Sequence, residues 1–171
     1  MPSSLTLEAL APGDETRIAL VAERMRQTLV EVEGEETGTA LYTMGWLRDR
    51  VRWHLDPACC TGMVWLAVAD GGELAGHTIV RVEHTADGER FGLFSTSHVA
   101  PAWRRHGVAS RLLAQGEAWM REHWLVDAST WTSATNRPLI ALYARHGYAE
   151  VQRGANEQTG TTMVRLARRW A

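Results

Sequence analysis

The residues with the strongest chemical signature lie together in Val99-Ala100-Pro101-Ala102-Trp103-Arg104-Arg105-His106-Gly107-Val108-Ala109. The stretch reads as a strand end, a tight turn rich in donors and the start of a helix. A helix start offers backbone N–H groups without internal partners and the positive end of the macrodipole. Gly107 lets that backbone approach a ligand closely, Ala109 keeps the helix start uncluttered, and Arg104 and Arg105 add charge. The arrangement suits a phosphate or pyrophosphate, although taken alone it is also a common surface pattern. Neither G-x-G-x-x-G after the first strand nor G-x-x-x-x-G-K-[ST] occurs, which removes two other nucleotide loops. A second feature is acidic: Glu31, Glu33, Glu35 and Glu36 crowd around Gly34. Such a run is either a solvated loop or an attractor for a cation. Cys59 and Cys60 are sequence neighbours, a poor disulfide pair, and with no second pair no metal site is expected.

The elements that must position these groups follow from periodicity. Ser4 to Leu10 alternates weakly, as a strand does, and Asp14 after Pro12-Gly13 is placed to cap a helix. Ile18, Val21, Ala22, Met25, Leu29 and Val32 give that helix its apolar stripe, and the acidic run then reads as a loop. Met44, Leu47, Val51 and Leu55 mark a second helix, ended by Asp56-Pro57. Val64 to Ala69, Leu74 to Val82 and Phe91 to Val99 read as three meandering strands joined at Asp70-Gly71-Gly72 and Ala86-Asp87-Gly88. A third helix carries Val108, Leu112, Leu113, Trp119 and Met120. Ala128 to Ser133 is a strand. Asn136 caps a fourth helix, with Pro138 in its first turn and Gly147 at its end. Tyr148 to Val151 and Thr161 to Leu166 close the pattern as strands. The order β-α-α-β-β-β-α-β-α-β-β is that of an α/β or α+β fold, and with no repeat or linker one domain over residues 1–171 is expected.

Composition sets the outer limits. A formal net charge of -2 gives no global basic field, so neither nucleic acid nor an anionic membrane is an expected partner. The start lacks a basic n-region with an apolar core, and no apolar run approaches membrane-spanning length, so a cytoplasmic protein is expected. Eight tryptophans stand against two phenylalanines. Most belong to packing, and Trp46, Trp65 and Trp131 could wall a pocket.

Arg104-x-x-Gly107-x-Ala109, preceded by Val99-x-Pro101 and followed by Ser110-x-Leu112-Leu113, resembles the acetyl-CoA loop of the GNAT acetyltransferases. Asn136-x-x-Leu139-x-x-Leu142-Tyr143-x-x-x-Gly147-Tyr148 resembles that family's next segment. The resemblance implies a central mixed, mostly antiparallel sheet of about seven strands flanked by four helices, its central strands splayed. It implies acetyl-CoA as cosubstrate, held by the amides of Arg105, His106, Gly107, Val108, Ala109 and Ser110 next to Arg104. Backbone groups near Ser97 and Val99 would take the pantetheine arm, and an N–H there would polarise the thioester carbonyl. Asn136 would reach the pantetheine or simply cap its helix. Tyr143 matches the general acid to the departing thiolate; the alternative is a tyrosine packed with Leu139 and Leu142.

The attacking amine must be neutral. A lysine-like amine costs about 4.6 kcal/mol to deprotonate at pH 7, so a base helps. Some relatives carry a glutamate where this chain has Leu93. His98, beside the implied splay, is the first candidate, with an inert strand histidine as the alternative; Glu83 and His84 come next. In this family the connection between the first two helices often borders the acceptor, which makes Glu31, Glu33 and Glu35 candidate contacts for a cationic amine. The readings that follow are a small-molecule N-acetyltransferase, a peptide N-acetyltransferase, or a non-catalytic acetyl-CoA sensor. A homodimer through the last strand pair is a further expectation from the resemblance.

Overall fold

Alternation along Gly62–Ala69, the strand β2, sorts the molecule into layers. Val64, Leu66 and Val68 point to one core and Ala67 to another on the opposite side. The structure, a computed structural model, describes residues 4–170. Its other strands are β1 (Leu5–Ala9), β3 (Leu74–His84), β4 (Arg90–Val99), β5 (Asp127–Ser133), β6 (Ala149–Ala155) and β7 (Thr162–Arg169). They form one sheet in the order β1-β2-β3-β4-β5-β7-β6, antiparallel throughout except for β4 against β5. The helices are α1 (Glu15–Glu33), α2 (Glu35–Ala40), α3 (Met44–Leu55), α4 (Val108–Glu122) and α5 (Arg137–Arg145). The sheet is therefore the mixed, mostly antiparallel one expected. No helix among the described residues is long and apolar enough to cross a membrane.

Each face has its own core. Ile18, Val21 and Met25 of α1 and Leu47 and Val51 of α3 pack with Leu66 and Ile79. On the other face Leu113 and Met120 of α4 and Tyr143 of α5 pack with Val80, Phe94, Val164 and Leu166. Glu117 of α4, itself buried, accepts from the Tyr148 hydroxyl (2.8 Å) and pairs with Arg168 of β7 (3.0 Å). That pair ties α4 to the far end of the sheet. Burial counts against the charge, so the ion pair is an anchor of geometry more than a source of net stability.

Five α-helices stand where four were expected, because the acidic run is not a loop. Gly34, at φ 86°, ends α1 by donating its N–H to the Val30 carbonyl. Glu35 and Glu36 then sit in the first turn of α2, where negative charge complements the macrodipole. Gly38 lets α2 lie directly on α1, since a Cβ there would stand 2.6 Å from the Val30 Cα. Glu31 and Glu33 consequently belong to the last turn of α1 and Glu35 to α2.

The feature that shapes the site is a β-bulge. Ile79 pairs with Thr96 while Val80 pairs with Phe94, so Ser95 is an extra residue in β4. A bulge bends its strand and sharpens its twist. β4 and β5 accordingly pair only through Gly92↔Ala128, Leu93↔Ser129 and Phe94↔Thr130. Beyond that rung residues 95–99 of β4 and 131–133 of β5 diverge, which is the splay the resemblance implies.

α4 seats against the bulged strand through Gly116, where a Cβ would lie 2.4 Å from Phe94 Cε1. Gly116→Ala is expected to lower the unfolding free energy by about 1–3 kcal/mol through overpacking, read as a reduced midpoint in urea denaturation with an unchanged slope.

Candidate active site

At the end of β4 the Ala100 N–H donates to the Ala75 carbonyl of β3 (2.8 Å). Strand geometry alternates the direction of successive peptide groups, so the amides of Ser97 and Val99 face the other edge, toward the diverging β5. The Val99 carbonyl on that edge accepts from Arg104 Nε at 3.0 Å. The chain then makes a 3-10 turn, Pro101–Trp103, and a loop in which Arg105 (φ 65°) and Gly107 (φ 77°) are left-handed. His106 Nδ1–H donates to the Arg104 carbonyl at 2.8 Å and braces the turn.

α4 begins without a side-chain cap. Asp14, Thr43 and Asn136 cap α1, α3 and α5, but the first intrahelical bond of α4 is Arg111 N–H to the Gly107 carbonyl. The amides of Val108, Ala109 and Ser110 thus precede it without intrahelical acceptors, an arrangement built for an anion. Ser110 Oγ contacts His146 Nε2 at 3.2 Å. Asn136 uses both ends of its amide within its own segment: Oδ1 accepts from Leu139 N (3.4 Å) and Nδ2 donates to Thr132 Oγ1 (3.3 Å).

Tyr143 reaches from α5 into the gap where the strands part. Its phenol lies near the hydroxyls of Ser97 on β4 and Thr130 on β5, and its ring meets Phe94 and Tyr148 edge-on, with centroids 5.8 Å and 4.8 Å away. Burial raises its pKa well above the ordinary phenol value, with the two hydroxyls pulling partly the other way. Thr130 Oγ1 also donates to the Phe94 carbonyl at 2.9 Å, so the ladder that ends at this rung is finished by a side chain.

His98 lies on the opposite face, against α1. Its Nδ1 meets Thr28 Oγ1 at 3.1 Å, and burial, with Arg104 and Arg24 nearby, brings its imidazole down to about 4 despite the opposing pull of Glu31. Two buried histidines were not singled out from the sequence, because nothing local distinguishes a buried imidazole from an exposed one. His77, brought to about 3 by burial, stacks on His98. His54, brought to about 4 by burial, accepts at Nε2 from Arg81 (2.8 Å). Arg81 also holds Glu83 at 2.5 Å and Ser95 Oγ at 3.1 Å. Glu83 is therefore occupied, and Leu93 pairs in register with Arg81.

The acidic residues separate. Glu31 forms an ion pair with Arg104 at 2.8 Å, and Glu33 accepts from the Thr161 hydroxyl at 2.7 Å. Glu35 and Glu36 stay exposed. Tyr42, stacked on Trp46 with centroids 4.1 Å apart, donates to Gln158 at 3.0 Å. These bonds bring the loop between β6 and β7 to the α1–α3 region. That loop borders a cavity of about 580 Å³ lined by Trp131, Asn156, Glu157, Gln158 and Met163.

The model of the acetyltransferase (GNAT) family matches residues 22–148. An aminoglycoside N(6')-acetyltransferase type 1 from Stenotrophomonas maltophilia is 28% identical over 96 residues, covering 54% of this chain and 63% of that relative. Among solved structures, a chain of the NatC complex bound to Gag peptide and CoA superposes with a TM-score of 0.76 at 14% identity, over 98% of this chain and 99% of that one. An acetyltransferase of the GNAT family from Streptococcus pneumoniae gives 0.72 at 16% identity, over 98% and 100%. At these identities the structural likeness is one of fold.

The buried histidines give stability a pH dependence. Their folded pKa values lie below the unfolded value near 6.5, so the unfolded chain binds more protons as pH falls below about 6.5. Stability is therefore full above that pH and is lost on acidification toward about 4, by about 1.4 kcal/mol per pH unit for each group. Urea midpoints measured across this range are expected to fall, and less steeply in His98→Gln.

Proposed function

This chain belongs to the GNAT family of acetyltransferases, and from that premise we propose that it moves an acetyl group from acetyl-CoA to a primary amine of a small cationic molecule, by direct attack in a ternary complex. The observation that carries the reading is the Tyr143 phenol between Ser97 and Thr130, at the point where β4 leaves β5. A family member that had lost catalysis would have no need of a buried hydroxyl in that gap.

The uncapped first turn of α4 fits a pyrophosphate, with the amides of Arg105 to Ser110 around it and Gly107 keeping the turn narrow. Acetyl-CoA supplies the activated acyl group. The outward amides of Ser97 and Val99 hold the pantetheine arm and donate to the carbonyl oxygen as negative charge develops there. Arg104 steadies the loop through Val99 and Glu31. Asn136 serves as the cap of α5.

Tyr143 faces the departing sulfur. A phenol at its ordinary pKa of about 10 already gives up its proton to a thiolate of about 8.5 only uphill, by about 2 kcal/mol, and burial makes the step steeper. The residue therefore stays protonated and acts by a hydrogen bond that tightens as the thiolate forms, rather than by completed transfer.

A cationic acceptor is supported by what faces the loop between β6 and β7. Glu157 on that loop is an exposed carboxylate. The Tyr42–Trp46 stack is tied to the loop through Gln158, and Trp131 lines the cavity beside it. Together they offer a negative charge and aromatic faces to a cation. Glu35 and Glu36, at the start of α2, are exposed as well. Similarity to an aminoglycoside N(6')-acetyltransferase agrees with a polyamine-like molecule.

Thiol release from acetyl-CoA should depend on an amine when kanamycin, spermidine, lysine amide and short peptides are offered in turn, with a polycation the best acceptor. Turnover confined to peptides would replace the small molecule by a peptide; acetyl-CoA binding without turnover on any amine would leave a sensor. In the active enzyme Tyr143→Phe is expected to lower kcat about 10²-fold while the Kd for acetyl-CoA, measured by calorimetry, stays within about twofold.

A further inference from the structure

Between β3, β4 and α1 runs a polar track that none of these roles uses. His77 and His98 are direct cross-strand partners, their ring centroids 6.3 Å apart and their planes 23° from parallel, and both are buried. Each ring engages one nitrogen: His77 Nε2 meets the Thr96 hydroxyl at 3.2 Å, and His98 Nδ1 meets the Thr28 hydroxyl at 3.1 Å. The remaining nitrogens, His77 Nδ1 and His98 Nε2, are buried without a protein partner. Buried polar atoms are seldom left so, and two in one layer ask for a reason.

The tautomer of His98 follows from its neighbours. Thr28 donates its only hydroxyl proton to the Arg24 carbonyl, 3.1 Å away, so toward His98 it can only accept. Nδ1 of His98 therefore carries the proton and Nε2 is a bare lone pair. The two threonines at the ends of the track are partly exposed while the imidazoles between them are not. Thr96 follows directly on the bulge residue Ser95 and so stands where the strands part.

We propose that Thr96, His77, His98 and Thr28 form a proton relay that carries the proton released by the acceptor amine across the α1 face of the sheet; this rests on the acetyl-transfer reading above. The chain requires one water between His77 Nδ1 and His98 Nε2, the two atoms left without a protein partner, a bridge suited to polar atoms in a buried layer. The amine's proton passes to Thr96 Oγ1 as the Thr96 hydroxyl proton moves to His77 Nε2. His77 releases its Nδ1 proton to the water, the water protonates His98 Nε2, and His98 gives its Nδ1 proton to Thr28. As it does so Thr28, which is partly exposed, turns its own hydroxyl proton from the Arg24 carbonyl to solvent. One proton enters, one leaves, and no bond between heavy atoms changes.

Electrostatics agree with a relay rather than a stored base. Arg24 faces both imidazoles, and Arg104 and Glu31 face His98. Burial, helped by the arginines and opposed at His98 by Glu31, keeps both rings neutral at rest, so the path is empty when the amine arrives. His98 is the first of the three base candidates legible in the sequence, ahead of Glu83 and His84, and His77, its cross-strand partner, connects it to Thr96.

The test compares Thr96→Val, His77→Gln and His98→Gln with the unchanged enzyme, using kanamycin or whichever of the panel amines is turned over. Amine-dependent thiol release by the unchanged enzyme comes first; its absence removes the acetyl-transfer reading, and the relay falls with it. Given turnover, each variant is expected to lose about 10- to 100-fold in kcat at about pH 7 and to regain most of it near pH 9.5, where solvent supplies the neutral amine. The Kd for acetyl-CoA should not change. A loss of equal size at both pH values would make these residues structural and overturn the relay, and so would unchanged kcat. Thr96→Val keeps both imidazoles in place, so it decides the matter even if a glutamine variant fails to fold.

Discussion

Ser95 takes one position in β4 that β3 does not match, and the parting of β4 from β5 depends on that mismatch. Opening a parallel pair inside a sheet exposes peptide groups that would otherwise be bonded, and buried ones are costly to leave bare. The molecule meets this with side chains. Thr130 donates to the Phe94 carbonyl at the last rung, Arg104 donates to the Val99 carbonyl at the mouth, and Tyr143 occupies the gap between Ser97 and Thr130. The outward amides of Ser97 and Val99 have no strand partner on that edge. Arg81, bonded to Ser95 Oγ and backed by Glu83 and His54, braces the bulge from the other face.

Because the sheet lies between them, the two kinds of proton chemistry are separated. Tyr143 belongs to the core under α4 and α5, whereas His77 and His98 belong to the layer under α1. Burial acts on them in opposite senses, raising the phenol and lowering the imidazoles, and in both cases it favours the uncharged form. A site that keeps its titratable groups neutral can respond to charge that appears during the reaction without holding any of its own beforehand. Arg104 and Glu31, an exposed pair worth little as a stabiliser, link the loop at the head of α4 to the end of α1.

Most of the scaffold was legible in the sequence because local chemistry decides it. Asp14 and Asn136 cap the helices they were expected to cap, and Val108, Leu112, Leu113, Trp119 and Met120 are all buried along α4. The turn from Arg104 to Gly107 could be read from its glycine and its neighbours. What could not be read depends on partners distant in sequence. α2 has little helical preference of its own and exists because Gly38 fits onto Val30. The bulge at Ser95 is a relation between two strands. Glu31 resembles Glu35 in sequence, yet its carboxylate is claimed by Arg104, which lies far along the chain. His77 becomes distinctive only once β3 sets it beside His98.

The proton balance of acetyl transfer gives a reason for the two roles proposed for the opposite faces of the sheet. An amine that arrives as an ammonium holds three nitrogen-bound protons, and the secondary amide it becomes keeps one. Of the two that leave, one ends on the thiol and the other must reach solvent. A single group close to both reacting atoms could accept the first proton and return it to the sulfur, but the second would still need an exit. Tyr143, protonated throughout, suits the sulfur side because it offers a hydrogen bond to negative charge as that charge forms. It cannot drain a proton, since it has no vacancy for one. The drain has to be a group with an open lone pair and a second nitrogen leading away, and a neutral imidazole has both. In the proposed relay the polar track from Thr96 to Thr28 therefore complements the tyrosine, with the bulged strand β4 between them.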